Sequence, residues 1–219
     1  MTLEPAALLA LRFVLDERGR MIGTNEPLPE RAPRMTMIRS ATSRSWALRV
    51  DLDDAIADRI AAIAPDDAAE RYRDVLGGAI DSGPTFSFAT TSASERVVEI
   101  DSLEPLVRHL RGWNAAEIPA CRPILAICDG ADAISVCFCA RRSTSAAEAG
   151  VYTSESHRGR GLAPVVTAAW ASAIRASGRT PVYSTSWTNT ASLAVARKLG
   201  LVQFATQLNV VDVVHGCHE

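Results

Sequence analysis

The 219-residue chain is almost without lysine: among its 23 basic residues only Lys198 is one. An arginine bias of this kind fits a GC-rich coding genome and is given no binding role. The chain also lacks a positive excess, with a formal net charge of −2. A nucleic-acid partner would need a broad positive field to neutralise phosphates, so the charge argues against one while leaving room for a local basic patch. No apolar run approaches the roughly 18 residues of a membrane span. The opening Met-Thr-Leu-Glu-Pro has no basic segment of the kind that begins a secretory signal. The expectation is therefore a cytoplasmic protein without a membrane partner. Cys121, Cys128, Cys137, Cys139 and Cys217 are odd in number and lack metal-ligand spacing. Most lie in apolar, strand-like runs where cysteine acts as a small hydrophobe, so reduced, buried thiols and no metal are expected. No internal repeat is visible.

What is present is ordinary globular material, 47% hydrophobic and 22% charged. The length suggests one core with a modest extra subdomain. Residues 10–15 and 45–50 read as strands on either side of a stretch broken and exposed by Pro27, Pro29 and Pro33. Asp53 caps a helix carrying Ile56, Ile60 and Ile63, and a second helix from about Asp67 carries Tyr72, Val75 and Leu76 up to Gly77-Gly78. Gly83-Pro84 marks a soft boundary, dividing an N-terminal α+β subdomain (1–83) from a second part (84–219). In that second part come the short run Phe86–Phe88 and a helix around Leu106 to Trp113. Strands at 124–128 and 134–140 flank a turn at Asp129-Gly130, and 148–153 offers a third strand, an antiparallel meander. A long helix, a strand at 181–187, a short helix at 190–199 and a last strand at 202–211 complete an α+β fold.

The segment that carries chemistry is 148–163, Glu-Ala-Gly-Val-Tyr-Thr-Ser-Glu-Ser-His-Arg-Gly-Arg-Gly-Leu-Ala, which passes from strand to glycine-rich turn to helix. Beyond it Leu162, Val165, Val166, Ala169, Trp170, Ala173 and Ile174 recur at three- and four-residue spacing, one buried helical face that Gly178 ends. A helix starting near Gly161 has backbone N–H groups without partners and a positive dipole end. Gly159 and Gly161 let the backbone approach a pyrophosphate, and Arg158 and Arg160 add charge. A Walker turn is excluded by the absence of Gly-Lys-Ser/Thr, and a dinucleotide fingerprint by the preceding meander.

Here the chain resembles the GNAT superfamily of acyl-CoA-dependent N-acyltransferases. Its Arg/Gln-x-x-Gly-x-Gly/Ala signature matches Arg158, Gly161 and Ala163. The later Tyr-Ser-Thr-Ser-Trp-Thr-Asn-Thr-Ala-Ser and Ala-Arg-Lys-Leu-Gly-Leu match the family's second strand–helix motif. The resemblance covers about residues 120–211. It implies a mostly antiparallel central sheet flanked by helices, with residues 1–83 as an N-terminal extension on the acceptor side or in packing. It also implies acetyl-CoA as co-substrate, held by Val151, Tyr152, Thr153, Arg158, Gly159, Arg160, Gly161, Leu162 and Ala163. The strand at 151–153 would splay from that at 182–186 to admit the pantetheine arm, with Asn189 and Ser192 near the pantetheine or thiol. For those two a helix N-cap and a small packing residue are equally natural readings.

Acetyl transfer needs a neutral amine and gains from a proton donor to the thiolate. Glu148 resembles the family's glutamate base; the other reading makes it a strand-edge carboxylate paired with Arg141 or Arg142. Glu155 is the reserve, and His157 reads as a surface neighbour of the turn. The family's usual acid, a tyrosine seven residues beyond the helix asparagine, is replaced by Ala196. Tyr183, Ser184, Ser186, Ser192, water or unassisted departure stay open in its place. The expected partners are acetyl-CoA and an amine, leaning to a small molecule, and a homodimer is compatible with the sequence. Alternatives are an acyl-CoA-binding sensor with little catalysis and a protein or aminoacyl-tRNA acetyltransferase.

Overall fold

The computed structural model describes residues 2–63, 68–89 and 94–213. The chain opens with helix α1 (Pro5–Arg12), not with the expected strand over 10–15; only Phe13–Leu15 is extended, as β1. The reason is local. Pro5 sits in the first turn of α1, where its missing N–H costs nothing, and the Ala-Ala-Leu-Leu-Ala-Leu run that follows favours helix until the aromatic and β-branched Phe13 and Val14. β1 pairs with β2 (Met21–Thr24) in a separate two-stranded ribbon.

The proline stretch is irregular as expected. Immediately after it come β3 (Met35–Ser40), which the sequence reading passed over, and β4 (Arg44–Leu48). Helix α2 (Asp54–Ala61) follows Asp53, and α3 (Ala68–Leu76) buries Tyr72 and Leu76; its expected start at Asp67 lies outside the described residues, as does Cys217. β5 (Ala79–Ser87) runs straight through the expected boundary at 83/84. The helix expected at 106–113 is a 3-10 turn at Glu104–Leu106 followed by turns, since Pro105 and Gly112 leave too few residues to nucleate a helix. After β6 (Val98–Ile100) and the short α4 (Ile118–Cys121) come β7 (Ile124–Asp129), β8 (Asp132–Arg142) and β9 (Ala146–Thr153), then α5 (Leu162–Ala176), β10 (Thr180–Ser184), α6 (Thr190–Lys198) and β11 (Val202–Val211).

Nine strands form one sheet in the order β4-β3-β11-β5-β10-β9-β8-β7-β6. Strands from either side of position 83 thus share one set of ladders, so the N-terminal part extends the sheet and does not stand apart from it. All neighbours are antiparallel except β9 and β10, which are parallel and pair over only three positions, Thr180↔Ala146, Pro181↔Ala147 and Val182↔Glu148. Beyond Glu148 the two strands part. β9 stays with β8 up to Ser135↔Thr153, while β10 stays with β5.

The strand alternation sends successive side chains to opposite faces. On one face α5 buries Leu162, Val166, Trp170 and Ile174 against Cys137, Cys139, Ala147 and Tyr183. On the other α1 buries Leu8, Leu9 and Leu11 against Ile38, Ala146, Val182 and Ala205. Each such large apolar side chain contributes about 1.5–3 kcal/mol of burial. Cys121, Cys137 and Cys139 are buried and Cys128 is partly so, all as free thiols, which accords with the expectation for these four. Among the described residues no helix is long and apolar enough to cross a membrane.

Candidate functional site

The turn after β9 is built as the sequence suggests. Gly159 (φ 78°) and Gly161 (φ 73°) are both left-handed, the region that a side chain at Cβ disfavours, and a Cβ at either would meet nothing within 4 Å. Gly161 is the N-cap residue of α5, and no side chain caps that helix. Its first N–H groups, on Leu162 and Ala163, are left for another acceptor, and Pro164 takes a position whose N–H would have no partner anyway. Arg158 Nε donates to the Thr153 carbonyl oxygen at 3.3 Å, and its head group stays 59% exposed beside Glu155. Arg160 Nη2 donates to the Ser156 carbonyl oxygen at 3.1 Å.

This turn forms one end of a cavity of about 550 Å³ that runs along the fork between β9 and β10. Its walls include Val151, Tyr152, Thr153, Arg158, Gly159, Gly161, Leu162, Ala163, Asn189 and Ser192; of the expected cofactor residues only Arg160 stands outside. Past Glu148 the β10-facing edge of β9 has no strand partner, so its backbone groups at 149–153 face the gap. Asn189 caps α6, its Oδ1 accepting from the Ser192 N–H at 3.0 Å, so the capping reading and a place on the wall hold together. The sequence reading missed Ala191, Ala194, Val195 and Lys198, which line the cavity at helical spacing along α6. That spacing, applied forward from Asn189, was the available signal.

Ala196 is buried in the core and lines no part of the cavity. Tyr183 sits in the same core cluster but does reach the cavity wall. Its hydroxyl donates to the Ser192 carbonyl oxygen at 3.3 Å, and burial pushes its pKa above the ordinary 10. His157 Nδ1 lies 2.7 Å from Ser154 Oγ and 2.9 Å from Ser156 Oγ, beside the turn and edge-on to His109. Glu155 is 87% exposed there.

Glu148 lies at the apex of the fork and points to the α1 face, opposite the neighbouring Ala147 and Ala149. It is 1% exposed. Arg12, in the last turn of α1, donates to it at 3.0 Å through Nε and 2.6 Å through Nη2; Arg141 Nη1 donates at 2.9 Å and Ser184 Oγ at 2.6 Å. Burial pulls the carboxyl pKa up, and the two guanidinium groups and their hydrogen bonds outweigh it, bringing it from 4.5 down to about 2. Arg12 also donates to Thr85 Oγ1 at 3.0 Å and to Gln207 Oε1, while Arg141 reaches Glu26. The expected pairing of Glu148 with Arg141 is present, but its principal partner, Arg12, comes from 136 residues away. No sequence pattern joins those positions.

A second, smaller cavity of about 170 Å³ opens beside this cluster on the α1 face. It is lined by Arg12, Arg141, Asp81, Thr85, Ser184–Ser186, Gln207 and Asn209, with few apolar atoms. The two cavities thus flank the same arm of β10, Tyr183 facing one and Ser184 the other.

Residues 125–206 match the GNAT acetyltransferase family. No curated protein matches the chain. Among solved structures, a protein from Novosphingobium aromaticivorans assigned to the GNAT family aligns with a TM-score of 0.50 at 15% identity, over 60% of this chain and 64% of that one. A GCN5-related N-acetyltransferase-like protein from Streptococcus suis gives 0.49 at 16% identity over 81% and 84%, and a GNAT-family acetyltransferase from Colwellia psychrerythraea 0.48 at 12% over 94% of each. At these identities the likeness to the first speaks to the fold alone, and the chain spans 64% of that structure.

Proposed function

We propose, on the premise that the chain carries a GNAT acetyltransferase domain over residues 125–206, that it moves an acetyl group from acetyl-CoA to the primary amine of a small molecule by direct attack. The observation that supports this most is the 550 Å³ cavity that joins an uncapped helix N-terminus to the open fork between β9 and β10. One end suits a pyrophosphate: free N–H groups, two left-handed glycines, Arg158 and, from α6, Lys198. The other end passes between unpaired strand edges, where backbone groups of Val151–Thr153 suit the amides of a pantetheine arm.

In the reaction the nitrogen lone pair forms a bond to the thioester carbonyl carbon, the C–S bond breaks towards sulfur, the nitrogen gives a proton to solvent water, and the thiolate takes one from a phenol that solvent reprotonates. Much of the acceleration comes from holding the two reactants in line. This reading gives Glu148 a positioning role. A carboxylate held near pKa 2 by two guanidinium groups takes up no proton at neutral pH, but it fixes Arg12 and Arg141 at the apex. An amine with a pKa near that of an α-amino group, about 8, has a neutral fraction without an enzymic base. Tyr183, the phenol on the cavity wall, takes the part of the family's missing tyrosine: its hydroxyl turns from the Ser192 carbonyl oxygen to donate to the departing sulfur.

A CoA-release assay over a panel of small amines tests the function: turnover on at least one is expected, and tight acetyl-CoA binding with turnover on none would favour a sensor. Tyr183→Phe is expected to lower kcat about tenfold or more with the KM for acetyl-CoA unchanged. An unchanged kcat removes Tyr183 from the mechanism.

A further inference from the structure

The smaller cavity carries charge information that the larger one does not. Four charged groups at its inner end cancel: the guanidiniums of Arg12 and Arg141 are matched by the carboxylates of Glu148 and Glu26. Asp81, on β5, is the charge left over. Among the described residues it has no ion pair, and its hydrogen bond comes from Asn209 Nδ2 at 3.4 Å.

Its orientation is fixed by a chain of polar groups that starts at the buried pair. Arg12 donates to Gln207 Oε1, which turns the Gln207 amide nitrogen towards Asn209 Oδ1 at 2.7 Å. Thr36 Oγ1 donates to that same oxygen at 2.8 Å, and the Asn209 amide nitrogen is thereby aimed at Asp81. An arginine can only donate, so each amide in the series has one permitted orientation. The series ends by giving Asp81, itself an exposed residue, a donor at 3.4 Å on one oxygen and leaving its remaining acceptor capacity to the mouth of the cavity.

The backbone here is shaped with equal specificity. At Gly83 a Cβ would meet the Thr185 carbonyl oxygen at 1.7 Å, so only glycine lets β5 lie this close to the arm of β10 that forms the opposite wall. Trp187 N–H closes the same approach, donating to the Ser82 carbonyl oxygen at 3.0 Å.

We propose that this cavity receives the acceptor's head group, and that the group binds as a compact primary ammonium with no carboxylate beside it, Asp81 being the counter-ion, and gives a proton to solvent before it attacks. The placement rests on the reading of the larger cavity as the acetyl-CoA site, because the two cavities lie on opposite sides of the same arm of β10, Tyr183 lining one and Ser184 the other. The chemistry rests on the uncompensated Asp81. Its carboxylate attracts an ammonium and repels a carboxylate on the same ligand, and the charges of the nearby guanidiniums are already matched by Glu148 and Glu26. A volume near 170 Å³ is close to that of an engineered protein cavity that holds benzene, so the head group is small even where the rest of the molecule extends into solvent.

Glycinamide and glycine form a minimal pair, an ammonium beside a neutral amide against an ammonium beside a carboxylate. Their binding to the CoA-loaded protein, followed by ligand-detected NMR at about pH 6.5 where both amines are protonated, is the direct measurement. Glycinamide is expected to bind about tenfold more tightly than glycine, because glycine brings a carboxylate close to that of Asp81 and like charges repel. Asp81→Asn is expected to weaken glycinamide about tenfold and erase the preference, leaving acetyl-CoA affinity and the circular dichroism spectrum unchanged. The proposal is overturned if glycine binds as well as glycinamide, if Asp81→Asn preserves their ratio, or if neither binds. Failure of wild type to bind acetyl-CoA would instead sink the parent reading, and Asp81-dependent binding of glycinamide to the unloaded protein would still stand as evidence for the ammonium site.

Discussion

The two faces of the fork are built in opposite ways. On the α5 face the cavity comes from two short stretches, 151–164 and 183–198, each a strand, a turn and a helix in sequence order. On the α1 face the polar cluster draws Arg12, Asp81, Thr85, Arg141, Glu148, Ser184, Gln207 and Asn209 from six elements. A site made of backbone at a helix start tolerates change in most of its side chains. A site made of buried charges from distant strands does not, because each charge depends on a partner that only the complete fold delivers.

The sharpest way to break that contrast is Arg12→Ala. It strips the principal partner from a carboxylate that is 1% exposed, and a loss of about 4 kcal/mol in urea unfolding is expected. A loss below 1 kcal/mol would mean that the α1 face does not depend on its buried pair. Next comes pH. The folded pKa of Glu148, about 2, is depressed below its ordinary 4.5. Its contribution is therefore fully present above pH 4.5 and disappears as pH falls towards 2, amounting to about 3 kcal/mol. Glu148→Gln should lower stability near neutrality and flatten the curve between those limits. If it instead left stability intact and removed the acidic limb of the pH–rate profile, Glu148 would be the base after all.

On the α5 face smaller effects are expected. Arg158→Ala removes an exposed cation and should weaken CoA binding about tenfold with the melting temperature unchanged. Gly161→Ala has open space for its methyl group but forces alanine to φ 73°, so a stability cost of about 1 kcal/mol is expected, with a comparable loss of CoA affinity. Were either to unfold the protein, the two faces would not differ as described.

Much of the fold was legible in the chain. The meander, α5, α6 and β11 follow from apolar periodicity and from Gly130, Gly178 and Asn189 at their turns. Residues 10–15 look like one apolar strand although they join the last turn of α1 to the three residues of β1, and apolar character alone does not mark the junction. β3 was missed because Pro33 was read as continuing the irregular stretch, although a proline before a strand breaks no ladder. The helix expected at 106–113 failed for want of length between Pro105 and Gly112.

By itself the sequence determined the glycine-rich turn at 158–163. Its geometry depends on residues within a few positions of one another: two glycines that reach left-handed φ and a helix whose first N–H groups have no partners nearer than a ligand. Only the tertiary structure decided what surrounds Glu148. A carboxylate on a strand is a base, a bystander or an anchor according to what surrounds it, and here Arg12 arrives from the far end of the chain to hold it ionised. Asp81 has no ion pair among the described residues for the same reason: the fold brings Arg12 from α1 and Glu26 from the loop after β2 to Arg141 and Glu148, and those four charges match one another.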